Sequence, residues 1–407
     1  MKKIRIYQRD WGKAGGPQHF VGSIARVLAE SNDVEIVHHE ERFDLKTFEE
    51  EVGLDLSRVN FRYLPNVEKP EWNTDWPMAR LRLESDFCRD LSESCDVFIA
   101  VSNVPPIFNH AKHGVLLTHF PSSSFDEYYA HSSPEWNRLG LLRRFWRTKY
   151  QKMEWRCRFA SYQTHLCVSR FARQWCWNRW QTLPQVLTPP VREGVPLEEK
   201  KPLILAVGAF SAENRKRHDV IISAFQDFYD KMIAKFDLNP AWKLRLIGFC
   251  GENSDDLAFV EKLRLKAYGY PIEILTNASW QTIEESLTDA MFFWHATGYG
   301  SDEAKHPERL ESFGFAVAEA QAAGAIPMVY HAGGMPEIIR HGMNGFLWST
   351  FRELVETTTA VLVEDRILPI LETGAIRNAE NFQLPAFRKN LKKVLHGIVD
   401  ASDEPAS

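Results

Sequence analysis

The sequence predicts an α/β protein of two doubly wound, Rossmann-like domains, and three observations carry that prediction. Short apolar runs such as Val97–Val101 and Pro202–Gly208 alternate with helical stretches through both halves of the chain. Runs without polar alternation belong to strands covered on both faces, and therefore to parallel sheets. The 407 residues exceed what one core organises, so two domains are expected. Between the two series, the stretch from Thr188 to Lys201 is rich in Pro and charge and reads as a linker. The expected division is 1–195, 196–384, a C-terminal helix 385–400 packing back toward the first domain, and a disordered tail 401–407.

In the first domain Lys2–Tyr7 reads as a strand and is followed by a glycine loop and a helix from about Phe20 to Ala29. Gly15 and Gly16 let a ligand approach the backbone closely, although their spacing is not the dinucleotide fingerprint; a plain tight turn fits them equally. Strands are expected at Val34–Val37, Val97–Val101 and Val115–Thr118. The stretch from Glu40 to Glu93, interrupted by Pro65, Pro70 and Pro77, reads as irregular surface around Trp72 and Trp76. His119 follows a strand, at the carboxyl end where open α/β sheets collect ligands; the alternative is a histidine satisfied inside the fold.

From Arg143 to Arg179 ten Arg or Lys residues face the single acid Glu154, with Trp146, Trp155, Trp175, Trp177 and, just beyond, Trp180 interleaved. Three readings compete: a solvated helical face over a buried Trp stripe, a surface for anionic lipid, or a stacking surface for nucleic acid. The last fits worst. Leu166–Ser169 looks like a buried strand in its middle, and the chain is acidic overall, with net charge −5.

The second domain reads as strand 202–208, helix 219–228, strand 243–248, helix 256–268, strand 272–276, helix 282–289 and strand 291–296. A helix near 351–364 and the C-terminal helix at 385–399 follow. The loop after its first strand ends in Arg215-Lys-Arg217, three cations ahead of a helix start, suited to a diphosphate or simply solvated.

Six cysteines without a Cys-x-x-Cys pair, and an N-terminus without an apolar signal core, predict reduced, packed thiols in a cytoplasmic protein. No apolar run is long enough to span a membrane, so any membrane contact is expected to be peripheral. Metal-ligand spacing is absent, and no cofactor is expected.

The stretch Glu311-Ser-Phe-Gly-Phe-Ala-Val-Ala-Glu319 sets two carboxylates across a helix start. Ser312 reads as the N-cap, Gly324 as the stop before a strand Ile326–Tyr330, and the N–H groups of Phe313, Gly314 and Phe315 as an anion site. A diphosphate on the helix end, with carboxylates on sugar and ribose hydroxyls, describes a nucleotide sugar. The bland alternative is a buried helix with one capping and one solvated Glu.

With Gln321-Ala-Ala-Gly-Ala-Ile-Pro-Met-Val329, Gly333-Gly-Met-Pro-Glu-Ile-Ile339 and Asn344-Gly-Phe-Leu347 added, the chain resembles the retaining glycosyltransferases of the GT-B fold. The closest resemblance is to the group numbered family 4 in carbohydrate classifications, also called glycosyl transferases group 1. It implies two Rossmann-like domains facing a cleft and a metal-independent transfer of a hexose from UDP- or GDP-sugar. The acceptor would be a saccharide or lipid-linked saccharide. It implies Glu311, Lys216 and His119 at the reacting sugar, and Gly15, Gly16, Arg215, Arg217, Phe313, Gly314, Phe315 and Glu319 on the donor. The family usually has Arg after the glycine where this chain has Ala209, so Arg215 or Arg217 would have to supply the second cation. The loop Gly298–Leu310 is longer than usual and would close over the sugar or lengthen a turn. An anionic membrane surface is the expected partner of the basic stretch, and nucleic acid is not expected. Epimerases and phosphorylases share the architecture, and a nucleotide-sugar sensor is the non-enzymatic alternative.

Overall fold

A computed structural model describes residues 1–9, 11, 15–65, 77–130, 141–192, 197–236 and 241–399. Each of the two chain units is built on one parallel sheet. The first unit holds residues 1–188 and 387 onward, and the second holds Pro189–Ala386. The division between the units lies at 188/189.

In the first unit the strands are β1 (Lys3–Tyr7), β2 (Asp33–His38), β3 (Val59–Tyr63), β4 (Val97–Val101), β5 (His113–Thr118), β6 (Thr164–Cys167) and β7 (Gln185–Val186). Its helices are α1 (Gly16–Leu28), α2 (Leu45–Val52), α3 (Pro77–Ser92), α4 (Phe125–Ala130), α5 (Leu141–Ala160) and α6 (Arg170–Trp180). The sheet order is β3-β2-β1-β4-β5-β6-β7. Ile4, Ile6, Val97, Phe98 and Leu117 are wholly buried in it, as strands covered on both faces require.

The irregular surface expected from Glu40 to Glu93 is corrected by α2, β3 and α3. Asp44 caps α2 by accepting from the Thr47 N–H at 2.9 Å, and Gly53 ends it in the left-handed conformation, φ 68°. Strand β3 is an edge strand, so half its residues face outward and the apolar run is diluted. Trp72, Trp76 and the tail 401–407 lie outside the described residues. Ser169, expected to end a strand, instead caps α6, accepting from the Ala172 N–H at 3.0 Å.

The second unit holds β8 (Lys201–Val207), α7 (His218–Phe236), β9 (Lys243–Gly248), α8 (Ser254–Ala267), β10 (Ile272–Thr276), α9 (Trp280–Asp289) and β11 (Ala290–His295). It continues with α10 (Phe315–Ala322), β12 (Ile326–Tyr330), α11 (Met335–Ile338), β13 (Phe346–Trp348), α12 (Phe351–Val363) and α13 (Leu368–Ala379). The order β10-β9-β8-β11-β12-β13 repeats the doubly wound plan. The order in which strands are added reverses between the parallel neighbours β8 and β11, and the loops leaving them part there to leave room for a ligand.

The last helix, α14 (Leu384–Val394), belongs to the first unit from Phe387 onward. There Phe387 packs edge-on to Phe20 of α1 at 5.9 Å, Arg388 pairs with Glu30 at 2.6 Å, and the Lys2 ammonium donates to the Ile398 carbonyl at 2.6 Å. Five of the six cysteines are buried, and Cys157 is exposed on α5, so the expectation of packed thiols fails there.

Candidate active site

The switch point of the second sheet carries a cluster of ionisable side chains. Lys216 comes from the loop after β8, His295 closes β11, and Glu311 lies in the loop between β11 and α10. The Lys216 ammonium is 2.6 Å from Glu311 Oε2, and His295 Nε2 is 3.4 Å from the same oxygen. His295 Nε2 also lies 2.8 Å from Thr297 Oγ1. Glu311 Oε1 carries no hydrogen bond among the described residues. Burial alone would raise the Glu311 carboxyl; the Lys216 charge, and after it the His295 contact, override burial and hold it well below the ordinary carboxylate range.

Glycines make this cluster possible. A Cβ on Gly208 would lie 2.8 Å from Lys216 Cγ, and one on Gly248 would lie 1.9 Å from the Gly208 carbonyl oxygen. Only bare backbone at both positions lets the lysine stem fold across the strand ends. Gly334 donates to the Glu311 carbonyl at 2.8 Å, and a Cβ there would strike the Ser312 carbonyl at 2.4 Å. The Gly333-Gly334 pair therefore seats the loop that presents Glu311.

Helix α10 starts later than the sequence suggests. Its N-cap is Gly314 in the left-handed region, φ 91°, and not Ser312. A Cβ would be strained at that φ whatever the space around it, so the left-handed backbone selects glycine where a serine cap was expected. Val317 N–H already bonds to the Gly314 carbonyl at 3.1 Å, so the helix mouth consists of the Phe315 and Ala316 N–H groups, displaced from the expected 313–315. Phe313 is buried, edge-on to Phe315 at 5.1 Å and Phe382 at 5.7 Å.

Glu319, just over one turn into α10, is half-buried, and no hydrogen bond reaches its carboxylate among the described residues. Burial pushes its carboxyl up to about 7, against the nearby charge of Arg192. The Arg192 guanidinium itself lies flat against Trp280, 3.4 Å from the ring centroid.

Residues 189–373 match the sequence profile of the family described as glycosyl transferases group 1. The second unit is a glycosyl transferases group 1 domain. A GDP-Man:Man(3)GlcNAc(2)-PP-Dol alpha-1,2-mannosyltransferase of Yarrowia lipolytica is 29% identical over 139 residues, 33% of this chain. The chain spans 20% of that relative's length. A glycosyltransferase from Rickettsia africae shares the fold with TM-score 0.66 at 14% identity, over 97% of this chain and 99% of that one. Anabaena HepE in complex with UDP and glucose gives the same values: TM-score 0.66, 14% identity, 97% and 99% coverage. The fold is GT-B.

Within the group 1 domain the three consecutive cations part company. Lys216 meets Glu311, Arg217 pairs with Asp219 at 3.3 Å, and the Arg215 guanidinium donates to the Glu308 carbonyl. The Gly298 N–H donates to the Arg215 carbonyl at 3.0 Å, so the long loop 298–310 is tied to the basic turn at both ends. Arg215 is thereby engaged in holding that loop. Sequence reading passed over His295 and Arg192. The signal for His295 was available: like His119, it directly ends an apolar strand beside the switch point. Arg192 had none, because its partner Trp280 is remote in the chain.

In the first unit Gly15 is the N-cap of α1 and Gly16 its first residue, with Pro17 setting the first turn. His119 follows β5; the His119 and Phe120 N–H groups both donate to Asn103 Oδ1, at 3.0 and 3.1 Å. Its ring lies edge-on to Phe20 at 5.8 Å, and Nε2 is buried with no hydrogen-bond partner among the described residues. Burial pulls this imidazole down to about 4. The basic stretch divides. Trp155 and Trp180 are buried, whereas Phe145, Trp146 and Met153 on α5 and Trp177 on α6 stand exposed.

Proposed function

We propose that this chain is a retaining, metal-independent hexosyltransferase of family 4, moving a sugar from UDP- or GDP-sugar to a saccharide or lipid-linked saccharide in glycan biosynthesis. The observation that carries the reading is the Lys216–Glu311 pair at the sheet's switch point, with the mouth of α10 and the unbonded Glu319 carboxylate on the same element. Transfer passes through an oxocarbenium-like state and leaves charge on the departing diphosphate. Lys216 and the N–H groups at the α10 mouth take up that charge. Glu311 Oε1 accepts from a hydroxyl of the donor sugar, and Glu319 accepts from the ribose hydroxyls. In the first unit, the neutral His119 contacts the transferring sugar, and the Gly15–Gly16 backbone donates to the diphosphate. Retention follows if the acceptor attacks on the face from which the diphosphate leaves, a departing phosphate oxygen taking its proton.

The names of the relatives support the donor class: one uses GDP-mannose and a dolichol-linked acceptor, another was solved with UDP and glucose. We propose also that the protein works on the cytoplasmic face of an anionic membrane. No helix among the described residues is long and apolar enough to cross a membrane. Helix α5 instead exposes Phe145, Trp146 and Met153 beside Lys149, Lys152 and Arg156, apolar anchors among cations.

A panel of nucleotide sugars followed by NMR of the product tests the transfer. A glycoside retaining the donor's anomeric configuration is expected, and an inverted product excludes the assignment. A second reading, a nucleotide-sugar-binding protein with weak turnover, is favoured by Ala209 together with the engagement of Arg215 and Arg217 elsewhere. Tight binding without turnover across acceptors would support it.

A further inference from the structure

His295 reaches the carboxylate of this site without contributing a charge. It is 5% exposed at the end of β11, and its Nε2 faces Thr297 Oγ1 and Glu311 Oε2. Its Nδ1 is buried with no hydrogen-bond partner among the described residues. A buried N–H without a partner is rarer and costlier than an unused lone pair, which puts the proton on Nε2. Burial lowers the basicity of the ring and the Lys216 charge adds to this, against the pull of Glu311, so the imidazole is neutral and donates one N–H.

Lys216 and His295 converge on one oxygen, Oε2, and leave Oε1 open. A diphosphate carries more charge than a carboxylate and competes for the Lys216 ammonium. When the lysine turns to it, Glu311 loses its shortest contact at the moment its position matters most. From this geometry we infer that His295 is a positioning residue, holding Glu311 in place through Nε2–H while Lys216 is handed over to the arriving diphosphate. The inference rests on the proposed function and adds a division of labour to it. Being neutral, the ring fixes the carboxylate without adding positive charge beside a carbon that itself becomes positive. Thr297 Oγ1 shares the same N–H, at 2.8 Å against 3.4 Å for Glu311 Oε2, and fixes the ring at that nitrogen.

The test compares His295→Ala, His295→Gln and Thr297→Val with the parent chain, using whichever of GDP-mannose and UDP-glucose is turned over. His295→Ala is expected to lower kcat about ten- to a hundredfold with donor KM within about threefold, since a displaced Glu311 costs more as the sugar reaches its transition state than in the bound ground state. His295→Gln, whose amide still donates, recovers most of that loss, and Thr297→Val loses less than His295→Ala. Nitrogen-15 spectra of labelled histidine give a readout independent of turnover: the His295 Nδ1 signal is expected in the unprotonated range. A His295→Ala kcat within twofold of the parent overturns the inference. So does a loss confined to KM, a glutamine variant that folds cooperatively yet recovers nothing, or a protonated Nδ1. An active parent chain with any of these results counts against His295 alone, whereas no turnover by the parent removes the proposed function and this inference with it.

Discussion

Two histidines that end strands in the two units show what the same topology does with different neighbours. His295, after β11, sits in an assembled network: Glu311, Lys216 and Thr297 compensate one another within hydrogen-bond reach. His119, after β5, is buried against Phe20 with a bare Nε2. Both rings keep one buried nitrogen without a partner among the described residues. The other nitrogen of His295, however, is tied to a charged pair balanced before any ligand arrives, whereas the His119 ring packs on Phe20. Balanced charge supports stability as well as binding, while an unsatisfied polar atom costs stability and is useful only to a ligand.

The largest expected effect that would break this contrast is at Lys216. Lys216→Ala should weaken nucleoside diphosphate binding by about 1.5–3 kcal/mol, roughly ten- to a hundredfold. It should also destabilise the fold by about 1–3 kcal/mol, because Glu311 is left without its cation. Calorimetric titration and urea unfolding measure both, and unchanged affinity would move the donor site elsewhere.

Glu319 should sharpen the contrast through pH. Its folded value, about 7, lies above the ordinary carboxylate value, so the folded state holds the proton longer than the unfolded chain. The stability this contributes is complete below about pH 4.5 and is lost as pH rises through 7, amounting to about 1–3 kcal/mol. Glu319→Gln should abolish that decline. Glu311 runs the other way: its contribution is present above the ordinary carboxylate range and is lost on acidification. Ribose hydroxyls favour the ionised Glu319, so donor affinity should rise from pH 6 to 8 in the parent chain and stay flat in the variant. A parallel pH dependence of stability in both proteins would show that Glu319 is not buried as described.

At His119 the expected stability change is smaller and the activity change is not. His119→Phe should alter unfolding free energy by no more than about 1 kcal/mol, because a buried unsatisfied nitrogen is removed. Transfer should fall sharply, and full activity in that variant would leave the histidine a packing residue. The smallest effect should be on α5. Lys149→Glu with Lys152→Glu should weaken retention on anionic vesicles at low salt by about 1 kcal/mol per changed lysine. Turnover of a soluble acceptor should be unaffected; if the parent chain does not sediment with such vesicles, a soluble saccharide is the acceptor.

Much of this was legible in the sequence, and the failures have physical causes. Strands buried on both faces announce themselves, and Val97–Val101 and Ile326–Tyr330 were placed to the residue, as were the less buried Lys243–Gly248 and Ile272–Thr276. Edge strand β3 was missed because outward residues dilute its apolar run. The cap of α10 was misplaced because Ser312 is the better local cap, and the left-handed turn of the folded loop at residue 314 is what selects glycine. Cys157 looks like its five buried counterparts until the faces of α5 are known.

Composition and periodicity determined the architecture, two parallel sheets with their loops gathered at the carboxyl ends, because apolar spacing is a property of neighbouring residues. The partners of the charges were decided only in three dimensions. Of three adjacent cations, Lys216 reaches Glu311, Arg215 holds a loop carbonyl and Arg217 faces Asp219. Which one reaches the carboxylate depends on strand ends brought together by Gly208 and Gly248, a closeness between segments that no local pattern encodes.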